Sequence, residues 1–538
     1  MSMDHSFIIQ LRWVFPVLGL ALLFFRFSMR LRAEQAIERN FAKWTWALGG
    51  VYFGVAAIAK WSQFRALVLN SQDFWLFEDM LKQMGQGAPF LTRFAPQALG
   101  FVQHGVIHPT FILYFALPWA AILGSTGTAL LFGPGVLAAA GVTLAFLARA
   151  RWGAVAAWCL GAAFLFSSQA GKILTYDVHP EAAYPLLILG AAWILSSTED
   201  LPRRRRLAGV TALVFFAGMS IKEDAFLVFG PLALWYGGRH RFKNFAWVPA
   251  LAVVLGLAFQ FHAISQWKNH LWGPELWAGQ PIVVPVGADF LKGMAWDSMR
   301  SVFRALQLMI ASQGGVGGAS SAILHFFLSR PFLSLVLWVP WVVRFPGFWF
   351  CIAPLALAHA ILGGLRASLI LYYSAPFLGV FVFWALRERK PSNNKALWAL
   401  GVSLFVGSGG PEIYFRSPLA SELAQGVAKL EPCLLSKSGN ALFQNGIVTT
   451  PFLGLVSRDS VATDRVPSDN SPFWNRVDHV LFAPDWPRWE TSAQDLERLR
   501  LRVTRGSEWI RMEAEGSGCI EVAKAKPGRV QLFVRKPH

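Results

Sequence analysis

The chain has 538 residues, of which 54% are hydrophobic and only 15% charged, with a mean hydropathy of +0.42. Soluble globular proteins carry about 25% charged residues, so this balance excludes an ordinary soluble enzyme and points to a polytopic membrane protein. A net charge of +18 would suggest a nucleic-acid partner in a soluble chain. Here the cations cluster in short segments between apolar runs, as positive loops held in the cytoplasm do, and no nucleic acid is expected.

Taken in chain order, the apolar runs predict about 12 transmembrane helices, near 7–27, 45–65, 126–148, 152–170, 181–197, 206–221, 224–237, 245–263, 322–343, 347–364, 369–387 and 395–409. The first run follows "MSMDHS", which has no Lys or Arg, and no small-residue cleavage pattern follows it. It reads as a retained span with its N-terminus outside. Pro109–Leu123 is apolar but only 15 residues long and is interrupted by Pro118. That is short for a crossing, so it is expected to be interfacial or re-entrant on the outer side. Every basic cluster then faces the cytoplasm: Arg26 to Lys43, Arg149 with Arg151, Arg203 to Arg206, Arg239 to Lys243, Arg344, and Arg387 to Lys395. The acid-bearing loops 66–108, 171–181, 222–224 and 264–321 face outward.

The expected fold class is therefore an all-α polytopic membrane domain with a small extracytoplasmic α/β domain at the C-terminus. Residues 1–44 hold an additional N-terminal transmembrane helix and a cytoplasmic loop. Residues 45–410 form the membrane domain, with an outer loop at 66–125, and 411–538 form the outer domain. In that tail "DHVLFAPDW" and "RVQLFV" read as strands and "SAQDLERLRLRV" as a capped helix with charged pairs. Cys433 and Cys519 would there meet an oxidising compartment, so a disulfide between them is expected.

Four polar clusters collect on the outer side. In "QDFWLFED" and its continuation, a helix from Phe74 places Leu76, Phe77, Met80, Leu81 and Met84 on one face. Glu78, Asp79, Lys82 and Gln83 fall on the opposite, solvated face. Asp73 at its start is either an N-cap or a carboxylate at the membrane surface, made more basic by desolvation. "HGVIHPTFILY" supplies His104 and His108. "YDVHPEAAYP" supplies Asp177, His179 and Glu181 at the head of a span, and "MSIKEDAFLV" interrupts an apolar hairpin with Lys222, Glu223 and Asp224. Loop histidines, a helix cap and a hairpin tip are the ordinary explanations. Ionisable groups at membrane depth are costly, however, and default to function. No cofactor is required by these patterns. His104, His108, Asp177 and His179 could hold a divalent metal, although Pro109 directly after His108 breaks any HxxxH helix. Neither a P-loop nor a strand-preceded G-x-G-x-x-G occurs, which excludes soluble nucleotide chemistry.

Together these motifs resemble a bacterial family of multi-spanning membrane proteins grouped with the GT-C glycosyltransferases. The matching stretches are "QDFWLFED" at Asp73, "HPTFILYF" at His108, "YDVHPEAA", "KEDAFL" and "LYYSAPFL" with Tyr373 and Pro376. Phe74 and Trp75 stand where the family has Leu-Gly, and Tyr372 stands where it has His. The resemblance implies a bacterial inner-membrane enzyme transferring a sugar from a polyprenyl-phosphate donor to an acceptor on the outer face. Asp73 would be the general base. His108, Asp177, His179, Glu181, Lys222, Glu223, Asp224 and Arg366 would bind the donor phosphate and sugar. Trp75, Tyr176 and Tyr373 would line the acceptor or lipid path. Two other readings remain open on the residues alone: a lipid or solute transporter, and a membrane-anchored assembly or sensor protein.

Overall fold

The computed structural model describes residues 17–20, 32–65, 72–85, 110–175, 178–197, 201–271, 315–362, 369, 371–388, 392–406, 441–444, 461–463, 479–482, 493–515, 518–522 and 531–536. Within these, α1 (Arg32–Arg39) leads into α2 (Phe41–Arg65), and α3 (Gln72–Gly85) follows. A three-ten turn, Phe111–Ala116, then runs into α4 (Leu117–Trp152). α4 is broken at Gly124, whose φ of +73° only glycine adopts freely. The break separates the short apolar segment ending at Leu123 from the long helix behind it. Ile112–Trp152 is the one described helix stretch that is by itself long and apolar enough to cross a bilayer.

Next come α5 (Ala154–Leu165) and α6 (Ser168–Thr175), bent by 44° at the break between them. α7 (Tyr184–Ser197), α8 (Leu201–Met219), α9 (Phe226–Arg239) and α10 (Val248–Leu271) complete the first half. The second half holds α11 (Gly315–Leu328) with α12 (Arg330–Trp338), again bent at 44°, then α13 (Pro346–Leu362), α14 (Ala375–Ala385) and α15 (Asn393–Val406). From residue 45 onward the described helices follow the predicted spans closely, but several are too short to count as separate crossings, and twelve is not established; the span expected at 7–27 lies outside the described residues except for 17–20.

The bundle packs through small residues. A Cβ on Gly161 of α5 would come within 2.9 Å of Gly141 O and of Ala145 Cβ on α4. Small side chains let helix backbones approach where lipid supplies no hydrophobic drive between them. The N-terminal segment docks in the same way. A Cβ on Gly19 would lie 2.6 Å from the Phe405 backbone nitrogen on α15. The core is continuous, with Leu144, Leu160, Phe164, Ile188, Phe229, Phe348, Phe377 and Phe381 all buried.

Among the described residues the C-terminal part holds a six-stranded mixed sheet. Its strands are β1 (Ala441–Gln444), β2 (Val461–Thr463), β3 (His479–Phe482), β4 (Trp509–Glu515), β5 (Gly518–Val522) and β6 (Gln531–Arg535), in the order β2-β1-β3-β6-β4-β5. β1 pairs in parallel with β2 and β3, and the other pairs are antiparallel. α16 (Ala493–Arg505) buries Leu499 and Val503. The two strands and the helix predicted for the tail are present. Cys519 lies on β5 opposite Ala514, whereas Cys433 is outside the described residues.

Candidate functional site

Three of the sequence motifs fold by one local device. In "HPEA", His179 is extended (φ −140°, ψ 130°), as a residue before proline prefers, and Pro180–Ala183 forms a three-ten turn into α7. In "KEDA", Lys222 is extended (φ −164°, ψ 161°) and Glu223–Ala225 turns into α9. In "LYYSAP", Leu371–Ser374 turns into α14, with Pro376 in that helix's first turn. Each turn presents polar side chains at a helix start, and packing of α7 against α14 and of α9 against α13 gathers them.

Glu181 is the centre of the gathered group. One carboxylate oxygen accepts from the Lys222 ammonium at 3.0 Å, and the other lies 2.5 Å from His179 Nδ1. His179, Glu181 and Lys222 are 5%, 5% and 2% exposed. A carboxylate so buried must be compensated, and both its oxygens are. Around this triad Lys222 sits 5.9 Å from the Tyr373 ring centroid. His359 meets Tyr373 edge-on at 6.0 Å. Phe77 of α3 packs edge-on against the His179 ring at 5.3 Å. Tyr184 donates to Asp224 at 3.1 Å and stacks on Phe229. The structure thus joins His179, Glu181, Lys222, Asp224 and Tyr373.

The other expected site residues are placed less fully. Asp73 lies in the first turn of α3, which begins at Gln72, so it is inside the helix and not ahead of it. The side chains of Asp73, Trp75 and Glu223 lie outside the described residues, as do His104, His108, Tyr176, Asp177 and Arg366 altogether. Among the described residues no group of three metal-ligating side chains occurs. The described carboxylate at the centre, Glu181, already has both oxygens committed to His179 and Lys222.

One expectation is corrected. Glu78 does not face solvent: it is 8% exposed. It accepts from Ser125 Oγ at 2.5 Å and from Thr126 Oγ1 at 3.1 Å. Those hydroxyls follow the Gly124 break, so Glu78 ties α3 to the start of the long part of α4. The apolar face of α3 is as predicted, with Phe77, Met80, Leu81 and Met84 buried and Phe74 added.

Sequence reasoning passed over other polar groups. Lys60 of α2 is 3% exposed and lines a small cavity with Phe74, Leu174 and Val178, beside α3 and the "HPEA" turn. Gln169 of α6 donates to Ser334 Oγ at 2.6 Å and so links the two bent helix pairs. A lysine or glutamine inside an apolar run is the signal that could have found both.

Next to the charged group runs an apolar groove of about 550 Å³. Its walls include Phe53, Phe115, Trp119, Phe132, Ala183 and Ala217. Ala183 belongs to the Glu181 turn. The Ile112 amide on the groove's other wall donates to Ser220 O, in the segment leading to Lys222. The groove is thus walled by residues of the same segments that carry Glu181 and Lys222.

The fold is similar to that of ArnT from Cupriavidus metallidurans. The apo structure matches with a TM-score of 0.50 at 11% identity, over 91% of this chain and 99% of that one. The structure of ArnT bound to undecaprenyl phosphate matches with a TM-score of 0.50 at 12% identity and the same coverage. These likenesses establish a shared fold with ArnT. Comparison with curated proteins gave no match. The family described as "Predicted membrane protein (DUF2079)" matches residues 63–407, more than half of the chain and all three turns of the site, and the chain belongs to that membrane protein family.

Proposed function

We propose that the protein is a membrane glycosyltransferase that transfers a sugar from a polyprenyl-phosphate carrier to an acceptor on the extracytoplasmic face of the bacterial inner membrane. The observation that carries this reading is that the buried Lys222–Glu181–His179 group sits on the segments beside the apolar groove, with Ala183 of the Glu181 turn in the groove wall. A lipid phosphate needs cationic donors for its head and apolar walls for its chain. The ArnT structure with undecaprenyl phosphate supports the same class of carrier.

In the reaction Asp73 takes the proton of the acceptor hydroxyl as its oxygen attacks the sugar's anomeric carbon. The bond from that carbon to the phosphate oxygen breaks, and the lipid phosphate leaves with the electron pair. Attack opposite the leaving group inverts the anomeric centre. Lys222, with Arg366 and His108, stabilises the charge growing on the leaving phosphate. Glu181 and His179 hold the ammonium in place, Asp177, Glu223 and Asp224 bind sugar hydroxyls, and Trp75, Tyr176 and Tyr373 line the path of acceptor and lipid. The small C-terminal domain stands on the outer face.

The test is release of lipid phosphate by the purified protein in nanodiscs, supplied with a panel of polyprenyl-phosphate sugars and a lipid-extract acceptor. Turnover with one donor, lost in Lys222→Met, is expected. If no donor in the panel is bound or consumed by wild-type protein, the reading fails.

A further inference from the structure

We infer that the break in α4 makes the apolar groove and that Glu78 is the positioning residue that holds the break. The groove then admits the chain of a polyprenyl phosphate only while α4 is bent. The identity of that chain rests on the transferase reading, whereas the bend does not. Ile112, Phe115, Trp119 and Leu123 line the groove from the segment ahead of Gly124, and Phe132 and Gly135 line it from the helix behind. The groove therefore lies in the crook of the bend. Phe115, Trp119 and Leu123 recur every fourth residue, so one helical face supplies them. Phe115 and Trp119 are nonetheless 56% and 59% exposed, so they border open space instead of filling it. They belong to Ile112–Trp152, the described stretch long and apolar enough to cross a bilayer. The open space there meets hydrocarbon, and an apolar groove of about 550 Å³ suits a lipid chain.

Two features fix the bend. Gly124 has φ +73° and ψ 164°, a region essentially restricted to glycine. A Cβ there would meet nothing within 4 Å, so glycine is needed for its backbone and not for space. The second feature is Glu78. A helix that restarts behind a break presents N–H groups without helical partners and the positive end of its dipole. The Glu78 carboxylate of α3 is placed there. It accepts from Ser125 Oγ at 2.5 Å and Thr126 Oγ1 at 3.1 Å, the two residues that follow Gly124.

In an unbroken α4 those N–H groups would bond within the helix, and a carboxylate buried beside them would lose its compensation. Glu78 therefore favours the bent form over the straight one. At the far end of the segment the Ile112 amide donates to Ser220 O at 3.1 Å, close in sequence to Lys222. A straight helix would give up that bond and carry the four lining side chains away from Phe132 and Gly135. Glu78 also shares α3 with Asp73. The group that shapes the lipid groove and the proposed base thus stand on one helix, so seating of the carrier and placement of the base are mechanically linked.

The experiment uses the full chain in phosphatidylcholine nanodiscs with undecaprenyl phosphate as the probe. Probe retention in native mass spectrometry and backbone hydrogen exchange of residues 125–128 are the readouts. Wild-type protein should retain the probe against excess phosphatidylglycerol. Gly124→Ala should weaken retention roughly tenfold or more, since alanine is strained in the bent form. It should also slow exchange at 125–128, whose N–H groups gain helical partners in the straight form. Gly135→Leu should fill the groove, because the nearest atom to a Cβ there is Phe53 Cε2 at 3.9 Å. Retention should fall while exchange at 125–128 stays as in wild type. Glu78→Ala should weaken retention about two- to fivefold, and it decides the matter if Gly124→Ala does not fold. Gly209→Ala, on α8, where a Cβ also meets nothing within 4 Å, should behave as wild type. Retention equal to wild type in the Gly124, Glu78 or Gly135 variants, the same loss in Gly209→Ala, or displacement of the probe by phosphatidylglycerol would each overturn the inference. Retention that follows these changes, without turnover of any sugar donor, would sink the transferase reading alone. Turnover indifferent to the Gly124 and Gly135 changes would sink the bend alone.

Discussion

Replacing Glu181 with Gln preserves the shape of the side chain and removes the charge between His179 and Lys222. At the observed 3.0 Å, the attraction of Lys222 for Glu181 is about 5.5 kcal/mol at an effective dielectric of roughly 20. Desolvation of two ions costs several kcal/mol each, so the intact pair contributes little net stability. Removing one partner is different. Lys222, 2% exposed, loses its carboxylate, and a loss of about 3–5 kcal/mol is expected. Lys222→Met alone leaves Glu181 with only His179 and should cost a similar amount. The double change removes both charges and should cost far less than the sum, giving a coupling of about 2 kcal/mol or more. Reversible unfolding in mixed detergent micelles, followed by Trp fluorescence, measures all four corners of the cycle. Single losses below about 0.5 kcal/mol, or a coupling below about 0.5 kcal/mol, would refute the reasoning.

Asp73→Asn should lower transfer by roughly 100-fold or more while carrier binding persists, because Asn cannot take a proton; full activity would move the base elsewhere. Lys82→Gln, exposed on the same helix, is the matched neutral control. Glu78→Ala should destabilise by about 1 kcal/mol, since it removes the acceptor of the part-buried Ser125 and Thr126 hydroxyls, whereas Glu78→Gln, which still accepts, should cost less; equal losses in the two variants would contradict that role. Gly161→Val should wedge α4 from α5 and cost about 1–3 kcal/mol, visible as a lowered melting temperature, and an unchanged one would mean that the crossing is looser than the geometry implies.

The amino-acid sequence alone determined where the helices run. A bilayer demands contiguous apolar segments with internally satisfied backbones, so hydropathy reports position directly. It also marked the "HPEA" and "KEDA" turns, because ionisable residues at the head of an apolar helix need a local reason to be there. Periodicity placed Phe77, Met80, Leu81 and Met84 of α3 on a buried face correctly. It failed at Glu78, because a helical wheel assigns the polar face to water and carries no record of a second protein partner. The Ser125 and Thr126 hydroxyls that fill that role exist there only because Gly124 breaks α4 against α3. Tertiary structure likewise decided which charges meet. Glu181 and Lys222 head different helices, and nothing local to either motif states that Lys222 will reach Glu181 and that His179 will take the other oxygen.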